Sequence, residues 1–219
     1  FAARFGCSVM ASYSMTETSG IAVSEVNPAK DGAVGRPRRG VRVRIVDAED
    51  RDVAAGESGE LILQAEPQGV LNAGYFRDPD ATERAWRGGW FHTGDVMRQD
   101  TDGDLFFVDR LKDVIRRRSE NISSSEVEAE ARAFDGVQDA AAIGVPDGDS
   151  EEILLVVSPF PGATLDPETL ARFLIPRMPH FMVPRYFRVV PDLPKTNTNR
   201  VQKFVLREQG LTTDTWDRE

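Results

Sequence analysis

"LKDVIRRRSENISSSEVEAE", residues 111–130, sets three arginines between an apolar step and a run of serines that opens an acidic helical pattern. The texture of the chain differs on its two sides, so this stretch decides how the rest is divided. Upstream, "VRVRIVDAED" (41–50) alternates apolar and basic residues, while "GELILQ" (59–64) and "DLFFVD" (104–109) are short apolar runs between turn residues. All three read as strands. Downstream, Ser123 with Glu126, or Ser125 with Glu128, forms a capping-box pattern and predicts a helix that ends near Gly136. "VQDAAAIGV" (137–145) and "EEILLVVSP" (151–159) predict strands, and "DPETLARFLIPRM" (166–178) a helix with Pro167 in its first turn. "RYFRVV" (185–190) predicts a strand, and "RVQKFVLREQG" (200–210) a helix closed by Gly210. The expectation is an α+β chain, with β-rich residues 1–110 followed by a small α+β unit over 111–219.

Composition narrows the function classes. The 219 residues are 40% hydrophobic and 29% charged, with 18 Gly and 13 Pro, a profile of folded domains with many turns. A net charge of −9 argues against a general nucleic-acid or anionic-membrane surface, which would repel the chain at long range. No apolar run approaches the roughly 20 residues of a membrane span. The single cysteine, Cys7, excludes an intrachain disulfide and a cysteine-cluster zinc site. It fits a reducing, cytoplasmic compartment and is expected to be a buried spectator thiol. The opening "FAARFGCSVM" carries no initiator Met, and a longer protein is expected.

Four short segments ask for chemistry. "YSMTET" (13–18) puts an aromatic, a hydroxyl and a carboxylate at a strand end: Tyr13 to stack on a flat ring, Thr16 to donate to a phosphate, Glu17 to hold magnesium. A polar turn explains the same residues. In "GWFHTGD" (89–95) a tight turn through Gly94 presents Asp95, and a carboxylate held this way can accept both hydroxyls of a ribose. Equally, Asp95 is a turn former and Trp90 and Phe91 are core. His92 reads as a structural histidine, because the only other one, His180, is far away in sequence. Arg110 follows a strand and can offer its planar fork to a sugar or phosphate. Arg116, Arg117 and Arg118 read either as a solvated face or as a basic rim for an anion. "LPKTNTNRVQK" (193–203) brings Lys195, Arg200 and Lys203 into one polar loop, either as reactive cations or as a surface connector.

Taken in order, "YSMTET", "GELILQ", "GYFRDPDATERAWRGGWFHTGD" (74–95), "DGDLFFVDRLKDVIRRRSENISSSEVE" (102–128) and "LPKTNTNRVQK" resemble the adenylate-forming superfamily of acyl-CoA synthetases, peptide-synthetase adenylation domains and firefly luciferase. The resemblance runs over essentially the whole chain, and the tail "LREQGLTTDTWDRE" (206–219) looks most like ligases related to crotonobetaine/carnitine-CoA ligase. It implies the end of a large domain built as a distorted antiparallel β-barrel, followed by a small mobile lid. It further implies that Tyr13 packs on adenine, Thr16 lies near the α-phosphate and Glu17 is the magnesium-associated carboxylate. Asp95 would bind the ribose hydroxyls with help from Arg110, and Lys112 would be the hinge. The implied reaction joins a small carboxylic acid to ATP, releases pyrophosphate and passes the acyl-adenylate to coenzyme A. An alternative hands the acyl group to a carrier protein, and a third possibility is a silent nucleotide-binding homologue.

Three positions depart from the family pattern. Ser14 follows the first aromatic where relatives have Gly, a mild change if the local φ is negative. Ser119 stands where Gly is common, near the passage of the pantetheine arm. Asn199-Arg200 replaces Gly-Lys, so Arg200 takes the place of the catalytic cation with a wider, planar charge. The phosphate loop and most of the acyl pocket of the family precede the first segment seen here, and the 219 residues by themselves are expected to be inactive.

Overall fold

The computed structural model describes residues 2–66 and 71–219. It divides into two compact units, one running through Leu111 and the other comprising Lys112–Glu219.

The first unit starts with a short helix, α1 (Ala2–Phe5), and is otherwise mostly strand: β1 (Ser12–Met15), β2 (Ser19–Val23), β3 (Ala33–Pro37), β4 (Val41–Val46), β5 (Ser58–Ala65), β6 (Phe91–Gln99) and β7 (Leu105–Arg110). One further helix, α2 (Pro79–Ala85), starts where Asp78 accepts the Ala81 N–H and Pro79 occupies the first turn, where its missing N–H costs nothing. The strands pair antiparallel throughout, in the order β1-β2-β3-β7-β6-β5-β4. "GELILQ" falls inside β5, and Leu61, Ile62 and Leu63 are all essentially inaccessible, so this strand is covered on both faces. The expected barrel does not close: β1 and β4 are the two ends of a linear order, and no pairing joins them among the described residues.

Three local expectations are corrected. Cys7 is exposed, because the stretch between α1 and β1 belongs to no strand and packs no apolar face there. Trp90 is only half-buried, with the Arg42 and Arg44 guanidinium groups 5.9 and 5.3 Å from its ring centre, whereas Phe91 is core at 1% exposure. "HTGD" is not a turn between strands but an irregularity inside β6.

The second unit is built on the sheet β10 (Val137–Asp147), β11 (Ser150–Pro159), β12 (Tyr186–Val189) and β13 (Trp216–Asp217), preceded by a hairpin of β8 (Ile115–Arg117) and β9 (Glu120–Ile122). β11 and β12 run parallel and the other pairs antiparallel. Its two apolar runs are covered on both sides, and their period-2 alternation sorts the residues. Ala140, Ala142, Ile153 and Leu155 join the core with helices α3 (Ser124–Arg132) and α4 (Pro167–Leu174). Ala141, Ile143, Leu154 and Val156 face Leu206 of α5 (Lys203–Gln209). Of the two possible caps for α3, Ser123 is the one used, accepting the Glu126 N–H. Asp166 caps α4 in the same way.

Within "RRR" the alternatives of a solvated face and an anion rim both fail for the middle residue. Arg117 is 6% exposed, lies 2.8 Å from Glu152 and donates to the Phe181 carbonyl at 2.8 Å. The alternation along β8 turns Arg117 inward while Arg116 and Arg118 stay exposed. Removing one partner of a buried pair leaves an uncompensated charge. Glu152→Ala is therefore expected to destabilise the second unit by about 3–5 kcal/mol, read as faster exchange of β10 and β11 amides. Joint replacement by Met at 117 and Leu at 152 should recover most of that loss.

Candidate functional site

Asp95 lies on β6 directly opposite Arg110 of β7. Cross-strand partners share a face, and the Arg110 Nε comes 3.0 Å from Asp95 Oδ1. The approach is Coulombic rather than hydrogen-bonded, and Oδ1 is a buried acceptor with no hydrogen-bond donor among the described residues. The other oxygen, Oδ2, accepts the Tyr13 hydroxyl at 2.6 Å. The carboxylate is 4% exposed and the Arg110 side chain 51%, so the arginine reaches from the surface over a buried anion. Three residues that the sequence separates by up to 97 positions thus meet at one carboxylate. The Tyr13 ring packs in the core with Ile21 and Leu63. Burial, then the bond to Asp95, pushes its phenol well above the ordinary value, so Tyr13 stays a donor into alkaline solution.

An irregularity in β6 aims Asp95. Between the pairs Glu60–Val96 and Ile62–His92, β5 advances two residues while β6 advances four. Gly94 sits in this double bulge at φ +68, a region open to glycine at little cost. Thr93 donates to the Leu61 carbonyl at 2.7 Å and accepts the Asp95 N–H at 3.1 Å. The Gly94 N–H goes to Glu60 Oε1 at 3.0 Å. Glu60 Oε2 lies 3.0 Å from both His92 Nδ1 and Arg87 Nη2, so His92 is structurally engaged. Asp50 joins Glu60 and His92 in a group whose ligand atoms would suit a metal. Arg87 is already there, however, 3.6 Å from Asp50, and its cation neutralises the pair.

Thr16 and Glu17 form the β1–β2 turn. Thr16 is exposed. The Glu17 backbone carbonyl accepts the Asn72 N–H at 2.8 Å and its Oε1 accepts the Tyr75 hydroxyl at 3.1 Å. Burial, then the bond to Glu17, raises the Tyr75 phenol. Ser14, next to a bulge in β1, has no positive φ, so its side chain is accommodated without strain.

The remaining candidates belong to the second unit. Lys112 is exposed at its start, and its carbonyl accepts from Arg207 at 3.1 Å. Arg200 is exposed and has no acidic partner among the described residues. Its N–H goes to Thr196 Oγ1 at 3.1 Å, and its carbonyl accepts the Thr196 N–H at 2.8 Å. Asn199 has φ +63, a left-handed turn position where Asn is the usual substitute for Gly. Ser119 is exposed at the β8–β9 turn, and the positive φ there is carried by Arg118.

The sequence profile of the AMP-binding enzyme family matches residues 1–75, and that of the AMP-binding enzyme C-terminal domain matches residues 126–200. The chain belongs to this AMP-binding enzyme family. It is 36% identical over 204 residues to the long-chain-fatty-acid–CoA ligase of Salmonella typhimurium, covering 90% of this chain and 35% of that protein. Among solved structures, ATP-bound MatB from Rhodopseudomonas palustris matches with a TM-score of 0.81 and 33% identity, over 95% of this chain and 42% of the other. The amide bond synthetase McbA from Marinactinospora thermotolerans matches with a TM-score of 0.76 and 33% identity, over 91% and 42%. The chain thus spans about two-fifths or less of the relatives it matches.

Within this family member the other two cations of the late loop are committed. Lys195 pairs with Asp139 at 2.7 Å, while Lys203 pairs with Glu128 at 2.6 Å and donates to Ser124 at 2.7 Å. Tyr75 and Glu60 carry no local signal that would single them out, apart from the lone carboxylate inside the apolar run of β5.

Because the fold favours the neutral Tyr13 phenol, its stabilising contribution is complete below pH 10.0, the ordinary tyrosine value, and declines as pH rises beyond that toward the folded value. The expected slope is about 1.4 kcal/mol of lost stability per pH unit. Urea titrations between neutral and strongly alkaline pH should show a shallower loss in Tyr13→Phe than in the wild type.

Proposed function

We propose that these residues form part of the nucleotide site and the mobile C-terminal domain of an ATP-dependent acyl-CoA synthetase. On this reading residues 1–110 are the end of the large domain and 111–219 the small one, turning about Lys112. The observation that carries it is the buried Asp95 carboxylate, one oxygen engaged by Tyr13 and the other left without a hydrogen bond beside a surface arginine. A buried acceptor without a donor is costly, and a ribose hydroxyl supplies the donor it lacks. Arg110, half-exposed, adds a cation to the same edge, and Tyr13 borders the base.

The adenylation half-reaction concentrates negative charge at the α-phosphate. Thr16 would donate there, and Arg200, a cation without an acidic partner, would neutralise the developing charge. Glu17 fits a magnesium site: a carboxylate with one oxygen on Tyr75 is a hard oxygen donor, and the ion would offset phosphate charge. The carboxylate attacks the α-phosphate and pyrophosphate leaves; the thiol of coenzyme A then attacks the acyl carbonyl, and AMP leaves. A cytoplasmic setting accords with the free, exposed Cys7 and with the fact that no described helix is long and apolar enough to cross a membrane. The 219 residues alone should release no pyrophosphate, since they span so little of the ligases they match. The tail, "TWDRE" included, supplies the edge strand β13, so it speaks for packing rather than for one acyl group.

A second reading, in which the adenylate is captured by an acceptor other than coenzyme A, is favoured by the 33% identity to an amide bond synthetase.

In the intact enzyme, Asp95→Ala should weaken AMP binding roughly 10- to 100-fold by calorimetry, the worth of hydrogen bonds to a charged acceptor. Unchanged affinity would defeat the nucleotide-site assignment. Arg200→Ala should lower the kcat of pyrophosphate release on the order of 100-fold or more, as loss of a transition-state donor does. A silent wild type awakened by Arg200→Lys would instead favour a non-catalytic nucleotide binder. Loss of acyl-adenylate only when coenzyme A is added separates the thioester reading from the second one.

A further inference from the structure

We infer that Glu60 is a positioning residue for the nucleotide site: without touching the ligand, it sets nucleotide affinity by holding the double bulge that aims Asp95. The inference rests on the reading of Asp95 given above. Glu60 is 7% exposed, and its two oxygens divide the work. Oε1 accepts the Gly94 N–H at 3.0 Å, one residue before Asp95. Oε2 meets His92 Nδ1 and Arg87 Nη2, both at 3.0 Å, so the carboxylate is pinned from β6 and from the segment that follows α2.

A bulge of two extra residues frees backbone groups that the ladder would otherwise pair. Here the Gly94 carbonyl is taken by Leu111 N–H at 2.8 Å, the Asp95 N–H by Thr93, and the Gly94 N–H by Glu60. Of these three satisfying groups only Glu60 combines an acceptor for the bulge with a charge locked on the far side by a histidine and an arginine. Without it the Gly94 N–H is orphaned, the bulge keeps only the Thr93–Leu61 bond as a side-chain anchor to β5, and the direction in which Asp95 leaves β6 is less firmly fixed. Displacements of that kind weaken ligand contacts made one residue away. The oxygen on Gly94 holds the bulge, and the charge serves only to fix the far side of the side chain: a neutral oxygen at the same place accepts the same N–H.

The test is AMP affinity of the intact enzyme, measured with urea stability for Glu60→Ala, Glu60→Gln, Asp95→Ala and Leu105→Ala. Leu105, fully buried on β7, pairs with Gln99 and Gly35 rather than with the bulge, so its truncation lowers stability from elsewhere in the sheet. Expected is a roughly tenfold loss of affinity in Glu60→Ala, rescue in Glu60→Gln, and unchanged affinity in Leu105→Ala. If Glu60→Ala does not fold, Glu60→Gln against Glu60→Leu is read instead, with the same expectation. Three outcomes overturn the inference: affinity unchanged in Glu60→Ala, equal loss in Glu60→Gln and Glu60→Ala, or equal loss in Leu105→Ala. Should Asp95→Ala bind AMP normally, the nucleotide reading fails first and takes the positioning role with it; if only Asp95→Ala loses affinity, the reading stands and Glu60 is merely structural.

Discussion

Burying one carboxylate constrains the first unit more than any other interaction. Asp95 is withdrawn from water by β6, and an isolated buried anion is strongly unfavourable unless partners surround it. Tyr13 supplies a hydroxyl from β1, Arg110 supplies a charge from β7, and the Asp95 N–H is turned onto Thr93. These partners lie on strands at the edge, in the middle and beside the bulge of a seven-stranded sheet, so the sheet must be complete before the carboxylate can be tolerated. One oxygen of the pair, Oδ1, accepts no hydrogen bond among the described residues and is met only by the Arg110 charge.

Glu60 extends that logic one step outward. It is a second buried carboxylate, held by Arg87 and His92 and turned toward the bulge backbone. Two neighbouring buried anions, each matched to its own cation and donors, make the β5–β6–β7 centre a polar structure inside an apolar sheet. Polar networks of this kind rigidify as their groups are satisfied, and here every carboxylate oxygen but Asp95 Oδ1 has a hydrogen-bonding partner. The second unit repeats the device for another end: Arg117 and Glu152 join the β8–β9 hairpin to β11, and the Phe181 carbonyl takes a further guanidinium N–H.

Much of the architecture was legible. "VRVRIV", "GELILQ" and "DLFFVD" are strands because their apolar residues follow sheet periods, and the Ser123 and Asp166 caps mark helix starts by side-chain chemistry confined to a few neighbours. The illegible parts share one cause. Cys7 looked like core because thiols are usually buried, but burial depends on what packs over a segment. Arg117 looked like its neighbours because a run of arginines hides which one the strand turns inward. Tyr75 and Glu60 matter through partners 58 and 34 residues away, and no local pattern records such a distance.

The sequence by itself determined the order of strands and helices, the change of texture near residue 111 and the residue types at the candidate site, because these follow from local periodicity, capping and motif order. Only the tertiary structure decided that the seven strands form an open linear order, that Gly94 lies in a bulge rather than a turn, and that one Asp95 oxygen meets Arg110 without accepting a hydrogen bond. Those outcomes are set by which strands pair and in what register, and pairing is a contest among distant segments that no short window of sequence contains.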